Sequence, residues 1–485
     1  SVGAITLPYW DHMATAKQII QYFDGTLTFE SMVEPQNQAR PLFPRLIFVA
    51  NAALTRWDIR SEYVYIYLTI YGSFAALLFA WWQLFKKVRG VITVSGALLL
   101  SIISFSPVAA MNQYWSLMLL ATLSYFCAVL AFLVTSMRPF SWGANVLAAA
   151  LAWISAYSIS QGLFVFPAIL ILHLLIGQRA FRPTRWSIFW LANLLVCYAV
   201  YLPGVALGGV TQPLPTVFDF VAFVAVYIGN PLGSLLWFPE MGVVWLRETI
   251  VINFAVGLLL LLLAAFTAWK ARRRLRLAEP EVLIFYSFGM YAIACAVVTG
   301  WGRASGEFAV ASANSSRYST FAAALLFGLI FYYGSEFRRG SLVFAMATKA
   351  ILAVFVAAST VSYVRAIPVY KAAHNDNEWL ADVYGPNAEV TNLDRKAYPD
   401  PEYFDPKRRD LLRLGIGPYR LLPLRNRAIY SGAFVGAVPL KSGTTVSQKF
   451  RVAFPIIRSI SFPVVTWGKW PSSYTVLWKA TDVQN

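Results

Sequence analysis

Asp11, in Tyr9-Trp10-Asp11-His12, and the downstream pair Arg303 and Arg317 are the residues whose types best match a chemical step. The arginines lie in Gly302-Arg303 and Ser316-Arg317-Tyr318, a short polar stretch between two strongly apolar segments. A carboxylate can take the proton from an attacking hydroxyl. Guanidinium groups can hold the negative charge that builds on a departing phosphate. The chemistry that fits both is transfer of a group, such as a sugar, away from a lipid phosphate. Glu34 is a possible auxiliary acid, Arg40 and Arg45 are further cations, and Tyr318 stands beside Arg317. Each has a plainer reading. Asp11 could cap a helix beginning near Met13, and Glu34 could be an exposed charge. Arg40 and Arg45 could anchor an interface, and Arg303 and Arg317 could contact headgroups or pair with Glu307. His12 either tunes Asp11 or is a satisfied surface histidine.

The elements that must position these groups are membrane helices. Of 485 residues, 58% are hydrophobic and only 13% charged, about half the charge of an ordinary soluble domain. Several apolar runs are long enough for a hydrocarbon core of about 30 Å. The formal charge of +17 does not point to nucleic acid, because the basic residues sit in short loops beside apolar runs. That distribution is the positive-inside pattern, with attraction to anionic headgroups added. Cys127, Cys197 and Cys295 fall inside apolar runs without metal-ligand spacing, and no metal is expected.

Ten spans are expected, at 62–85, 91–108, 114–134, 143–159, 161–176, 186–205, 248–269, 281–300, 318–336 and 343–365. The run from Ala144 to Gly177 is too long for one crossing and is split at the polar patch Ser155–Gln161. This keeps the basic loops at 86–90, 135–142, 177–185, 270–280 and 337–342 on the cytoplasmic side. Residues 1–61 form a first outer loop with interfacial helices near Met13–Phe23, ended by Gly25, and near Pro41–Thr55. The outer segments within the membrane domain 62–365 are 206–247 and 301–317. The first of these is read as interfacial or re-entrant, with Trp237 and Trp245 in an aromatic belt. An eleventh span is expected before Ser1.

A polar linker region, 366–426, follows, and then 427–485 alternates as strands do. The fold class expected is therefore an α-helical polytopic membrane protein with a small C-terminal β-rich, sandwich-like domain that is possibly incomplete. Trp467, Trp470, Tyr474 and Trp478 in that domain read either as a sugar-stacking platform or as its core. The spans carry few ionisable groups, which counts against transport and places any chemistry at the outer interface.

An outer-loop aspartate, then R-x-x-x-P-R (Arg40, Pro44, Arg45), then many spans, then G-R…S-R-Y resembles bacterial GT-C glycosyltransferases. The resemblance covers roughly residues 8–365. It implies a polyprenyl-phosphate sugar as donor, an acceptor glycan or glycolipid, and an inverting reaction at the periplasmic face of the inner membrane. By position, Asp11 would be the base, and Arg303 and Arg317 would hold the donor phosphate. Asp11 is followed by His12 rather than by a second acid, so a divalent metal is not implied. Competing readings are a non-catalytic scaffold or accessory subunit of a larger membrane complex and, less favoured, a lipid-glycan flippase or transporter.

Overall fold

The computed structural model describes residues 5–87, 90–176, 184–205, 215–236, 247–305, 310–338, 353, 355–368, 371 and 401–420. Nearly all of this is helix. The first loop folds as α1 (His12–Phe23), a short α2 (Phe29–Val33) and α3 (Leu42–Thr55). The spacing of Met13, Ala16, Ile19 and Ile20 gives α1 one buried face, which packs against α3. Gly25 follows α1 with φ +71°, a left-handed turn that glycine adopts without steric cost. After α3, Arg56 and Trp57 are consecutive left-handed residues (φ 57° and 64°) that turn the chain into α4 (Ile59–Phe85).

The bundle continues with α5 (Gly90–Ser104), a re-entering stretch 105–118 that includes the one-turn α6 (Met111–Tyr114), and α7 (Leu119–Met137). The break expected at Ser155–Gln161 is present. Helix α8 (Trp142–Ala156) ends before a 3-10 turn at Ser160–Phe164, and α9 (Val165–Leu175) returns. Gly162 permits the tight reversal, since a Cβ there would strike the Ser155 carbonyl. Then come α10 (Arg185–Tyr201), α11 (Val217–Leu236), α12 (Arg247–Arg276), α13 (Pro280–Arg303) and α14 (Ser316–Arg338). Residues 355–368 are helical, and α15 spans Pro401–Leu414.

Among the described residues, six helices are long and apolar enough to cross a membrane: α4, α7 with its preceding turn, α11, α12, α13 and α14. The chain is a multi-pass membrane protein. The expected spans near 91–108, 143–159 and 161–176 are shorter apolar helices, and that near 186–205 is the 17-residue α10. Within 206–247, where an interfacial or re-entrant stretch is expected, residues 217–236 form an apolar helix of span length with Pro231 inside it. It packs tightly on α12. Gly229 and Gly257 let the α11 and α12 backbones meet so closely that a Cβ on either would strike a facing carbonyl. Loop-charge bookkeeping along a sequence cannot register such a contact. The β-rich domain expected over 427–485, with its four aromatics, lies outside the described residues, as do Trp237, Trp245 and most of 366–426.

The first-loop helices, stretch 105–118, the start of α14 and the end of α13 gather at one end of the bundle. Tyr63, at the start of α4, donates to the carbonyl of Ile5 at 2.7 Å. Met111 N–H donates to Ser316 Oγ at 3.3 Å, and Asn112 Nδ2 donates to Thr320 Oγ1 at 2.8 Å. Helix α11 adds a wall at the same end. Its Phe220 ring meets Trp301 of α13 edge to face, and its Tyr227 stacks on Tyr318.

Candidate functional site

Asp11 stands at the N-cap position of α1, yet its side chain makes no cap hydrogen bond. The capping role that its position offered is not the one it plays. Its backbone carbonyl accepts from Gln36 Nε2 at 3.0 Å, and its carboxylate accepts from the Asn37 side chain. Trp10 and Asn37 both lie in the left-handed region (φ 48° and 53°). Asparagine enters that region readily, whereas for tryptophan it carries a cost of roughly 1–2 kcal/mol. The turn presenting Asp11 is thus held in a conformation that the local sequence alone would not choose.

The charge environment of Asp11 is set by opposing effects. Half-burial pushes its pKa above the ordinary carboxylate value. The positive charge of Arg317, the Asn37 hydrogen bond and the charge of Arg303 pull it back down without cancelling the rise. An acid near the N-terminus and two guanidinium groups on α13 and α14 therefore share one electrostatic neighbourhood.

Arg317 lies in the first turn of α14, where the helix dipole already favours an anion. Its guanidinium lies 5.0 Å from the Tyr318 ring centroid, and Nη2 reaches the Tyr318 hydroxyl at 3.3 Å. Tyr318 is itself buried and stacked on Tyr227, with ring centroids 5.3 Å apart. The ring therefore acts as a fixed bracket for the arginine. Arg317 Nε is buried and has no hydrogen-bond partner, which leaves a donor available. Arg303, in the last turn of α13, is exposed. Glu307, the alternative ion-pair partner, lies outside the described residues.

The remaining cations are placed differently. Arg40 donates to the carbonyls of Val33 (2.6 Å), Tyr201 (2.6 Å) and Pro203. Arg45 is 2% exposed and donates to the carbonyls of Met32 (3.0 Å) and Glu34 (2.7 Å). Burial lowers the Arg45 pKa to about 10. Both guanidinium groups brace the loop that carries Gln36 and Asn37, and Arg40 also ties it to the end of α10. Glu34 is paired with Lys17 at 2.6 Å and accepts from Gln18 at 2.9 Å.

His12 is fully buried rather than at the surface. Its Nε2 lies 3.3 Å from Glu62 Oε2, close enough for an ion pair but not aligned as a hydrogen bond. Its Nδ1 is 3.3 Å from Ser116 Oγ. Trp57 Nε1 donates to the other Glu62 oxygen at 2.9 Å. This polar knot pins the start of α1 to α4 and to stretch 105–118, directly beneath Asp11. Sequence reasoning passed over Glu62 because it reads as the first-turn acid of a span. Asn37 was visible only as a polar loop residue. Among the described residues, no three His, Cys, Asp or Glu side chains gather as metal ligands.

Segment 401–420 closes over the same loop. Arg413 makes a two-pronged contact with Asp24 at 3.1 and 2.8 Å, and Arg420 pairs with Asp58 at 2.7 Å. Gly417 N–H donates to the Arg56 carbonyl at 2.9 Å, with its Cα over the Trp57 ring. Comparisons with protein-family models, curated proteins and solved structures return no match.

Proposed function

We propose that this chain is an integral membrane glycosyltransferase of the inverting, GT-C type, working at the face of the membrane that carries Asp11. In this reading the donor is a sugar on a polyprenyl phosphate, and the acceptor is a glycan or glycolipid hydroxyl. The Asp11 carboxylate takes the proton of the acceptor hydroxyl. The acceptor oxygen forms a new bond to the anomeric carbon as the bond from that carbon to the phosphate oxygen breaks. The phosphate leaves with the electron pair, and Arg317, aided by Arg303, holds its added charge. Tyr318 keeps Arg317 in place. Asn37 orients the base, and Arg40 and Arg45 hold the loop that brings Asn37 to it. Glu34 serves that loop, in its pairing with Lys17 and Gln18, rather than the proton transfer. The proposed setting is a bacterial inner membrane, with the site facing the periplasm.

The observation that carries this reading is an uncapped, half-buried carboxylate with a raised pKa, close enough to two arginines for their charges to act on it. A raised pKa strengthens a carboxylate as a base, and the cations supply the matching stabilisation for the leaving group. The test is Asp11→Asn in the full chain, expressed at the wild-type level in a deletion strain, followed by mass spectrometry of the surface glycans. Loss of a defined glycan product is expected. An unchanged product profile would leave the chain as a scaffold or accessory subunit.

A further inference from the structure

The turn that leads into Arg317 is held by buried polar side chains from α11, α12 and the turn itself. Asn230, on α11, donates through Nδ2 to the Ser315 carbonyl at 3.3 Å and, more loosely, to that of Ala313 at 3.5 Å. The Ser315 carbonyl also accepts from Tyr318 N–H at 3.0 Å, at the very start of α14. Behind Asn230, Ser234 Oγ donates to Asn230 Oδ1 at 2.9 Å. Asn253 Nδ2, on α12, donates to Ser234 Oγ at 2.9 Å and to Asn314 Oδ1 at 2.8 Å. All three asparagines are no more than 1% exposed. Asn253 can reach the turn because α11 is bare at that point: a Cβ on Gly233 would strike its Oδ1.

Amides inside a membrane bundle are costly unless they are hydrogen-bonded. Apolar packing could join α11 to α12 without them, and the glycine contact already brings the two backbones together. What the amides add is specific to the turn. Irregular backbone within a bundle needs side-chain partners, and every bond that leaves α11 or α12 in this network ends at residues 313–315. Arg317 follows directly. Tyr227, one helical turn before Asn230, stacks its ring on Tyr318. From stretch 105–118, Asn112 Nδ2 reaches the Arg317 carbonyl at 3.4 Å. All these groups are neutral, so they fix the turn without compensating the guanidinium, whose charge stays available to an anion.

We propose that Asn230, Ser234, Asn253 and Asn314 are positioning residues that set the place of Arg317, and so where it meets the donor phosphate, an inference that rests on the transferase reading. They act through the turn rather than on the substrate. The charges acting on Asp11 are those of Arg317 and of Arg303 on α13, and its remaining side-chain partner is Asn37. A displaced Arg317 therefore shows twice, as slower transfer and as an Asp11 that holds its proton to higher pH.

The test uses the full chain and two readouts. The first, on protein purified in detergent, is the pH midpoint of carbodiimide modification at Asp11, read by peptide mass spectrometry. Carbodiimides react with the protonated acid, so no glycan substrate is needed. Arg317→Ala moves that midpoint to higher pH. Asn230→Leu and Asn253→Leu, which keep the branched shape but cannot hydrogen-bond, move it the same way by part of that amount. Ser234→Ala adds no bulk, gives a smaller shift in the same direction, and carries the test if a leucine variant does not fold. The second readout is glycan product per folded protein in the deletion strain. It falls by up to about 10²-fold in the leucine variants, as for a group misplaced by about 1 Å. Asn145→Leu is the control for mere destabilisation. Asn145 is equally buried, but it donates to the Pro139 and Ser141 carbonyls, each at 2.9 Å, beyond the far end of α7. This variant lowers Tm and leaves the midpoint in place. Wild-type midpoints in Asn230→Leu, Asn253→Leu and Ser234→Ala would overturn the proposal. So would an equal shift in Asn145→Leu, or an unmoved midpoint in Arg317→Ala. Shifted midpoints with an unchanged glycan profile would uphold the placement of Arg317 by the amides and end the transferase reading instead.

Discussion

At the scale of the residue, Asp11 combines two features that ordinary folding does not favour: partial burial and no capping bond. Its raised pKa carries a sign for stability. A carboxyl whose folded pKa exceeds its unfolded value adds stability below the unfolded value of 3.8, and that contribution is lost as pH rises through the folded pKa. At pH 7.5 the ionised group therefore works against the fold. Asp11→Asn should leave Tm at that pH unchanged or higher, with the gain shrinking as pH is lowered toward 4, even as transfer falls by about 10²–10⁴-fold. A parallel drop in Tm and activity would mean that Asp11 is structural. Arg317→Ala is expected to lower turnover by about 10²–10³-fold, and Arg317→Lys should recover only part of it, because a point charge cannot reproduce the planar fork. Turnover per folded protein is the readout. Sequence alone brought out Asp11, Arg303 and Arg317, because charged groups flanking apolar spans are few. It could not distinguish Arg40 and Arg45, whose guanidinium groups are directed at carbonyls, from cations available to a ligand. An arginine in a loop looks the same in either role.

Among the elements, what was legible follows periodicity and punctuation. The apolar spacing of α1, its stop at Gly25 and the break at Ser155–Gln161 were all written locally. The close approach of α11 to α12 was not, because it rests on the contact between glycines and facing backbone. That contact makes a sharp prediction. A Cβ at Gly229 would meet the carbonyl of Asn253, so Gly229→Ala must push the two helices apart. A loss of about 1–3 kcal/mol is expected, read as lower Tm and a smaller monodisperse fraction in detergent. The clamp of 401–420 on the first loop is testable in the same way. Gly417 has φ +61°, and a Cβ there would lie 2.8 Å from Trp57. Gly417→Ala should loosen this segment and speed proteolytic cleavage after Arg420, while removal of the exposed Arg413–Asp24 pair should change little.

For the molecule as a whole, membrane insertion was plain from composition, but the sidedness of its loops rests on the positive-inside pattern. The two ends differ in chemistry. One carries Asp11 and the clamped loop. The other carries an ion network in which Arg274 bridges Glu279 and Glu336, each at 2.6 Å, and Lys270 joins Glu336 at 2.7 Å. All three native cysteines are buried, so a single introduced thiol reports alone. With an impermeant maleimide, Phe29→Cys, at a side chain 75% exposed, should label in intact cells. Lys270→Cys should label only after permeabilisation. The reverse pattern would place the Asp11 face in the cytoplasm.

The acid and its cations are mounted on separate parts. Asp11 rides on the first-loop helices, whereas Arg303 and Arg317 ride on the α13–α14 hairpin, with stretch 105–118 wedged between them. A lipid environment that alters the tilt of that hairpin will move the guanidinium groups relative to the carboxylate, and the proton affinity of Asp11 will follow. The site is in this sense a thickness gauge. Reconstituted into short- and long-chain bilayers, the same protein should show a displaced acidic limb in its pH–rate profile, with no residue changed.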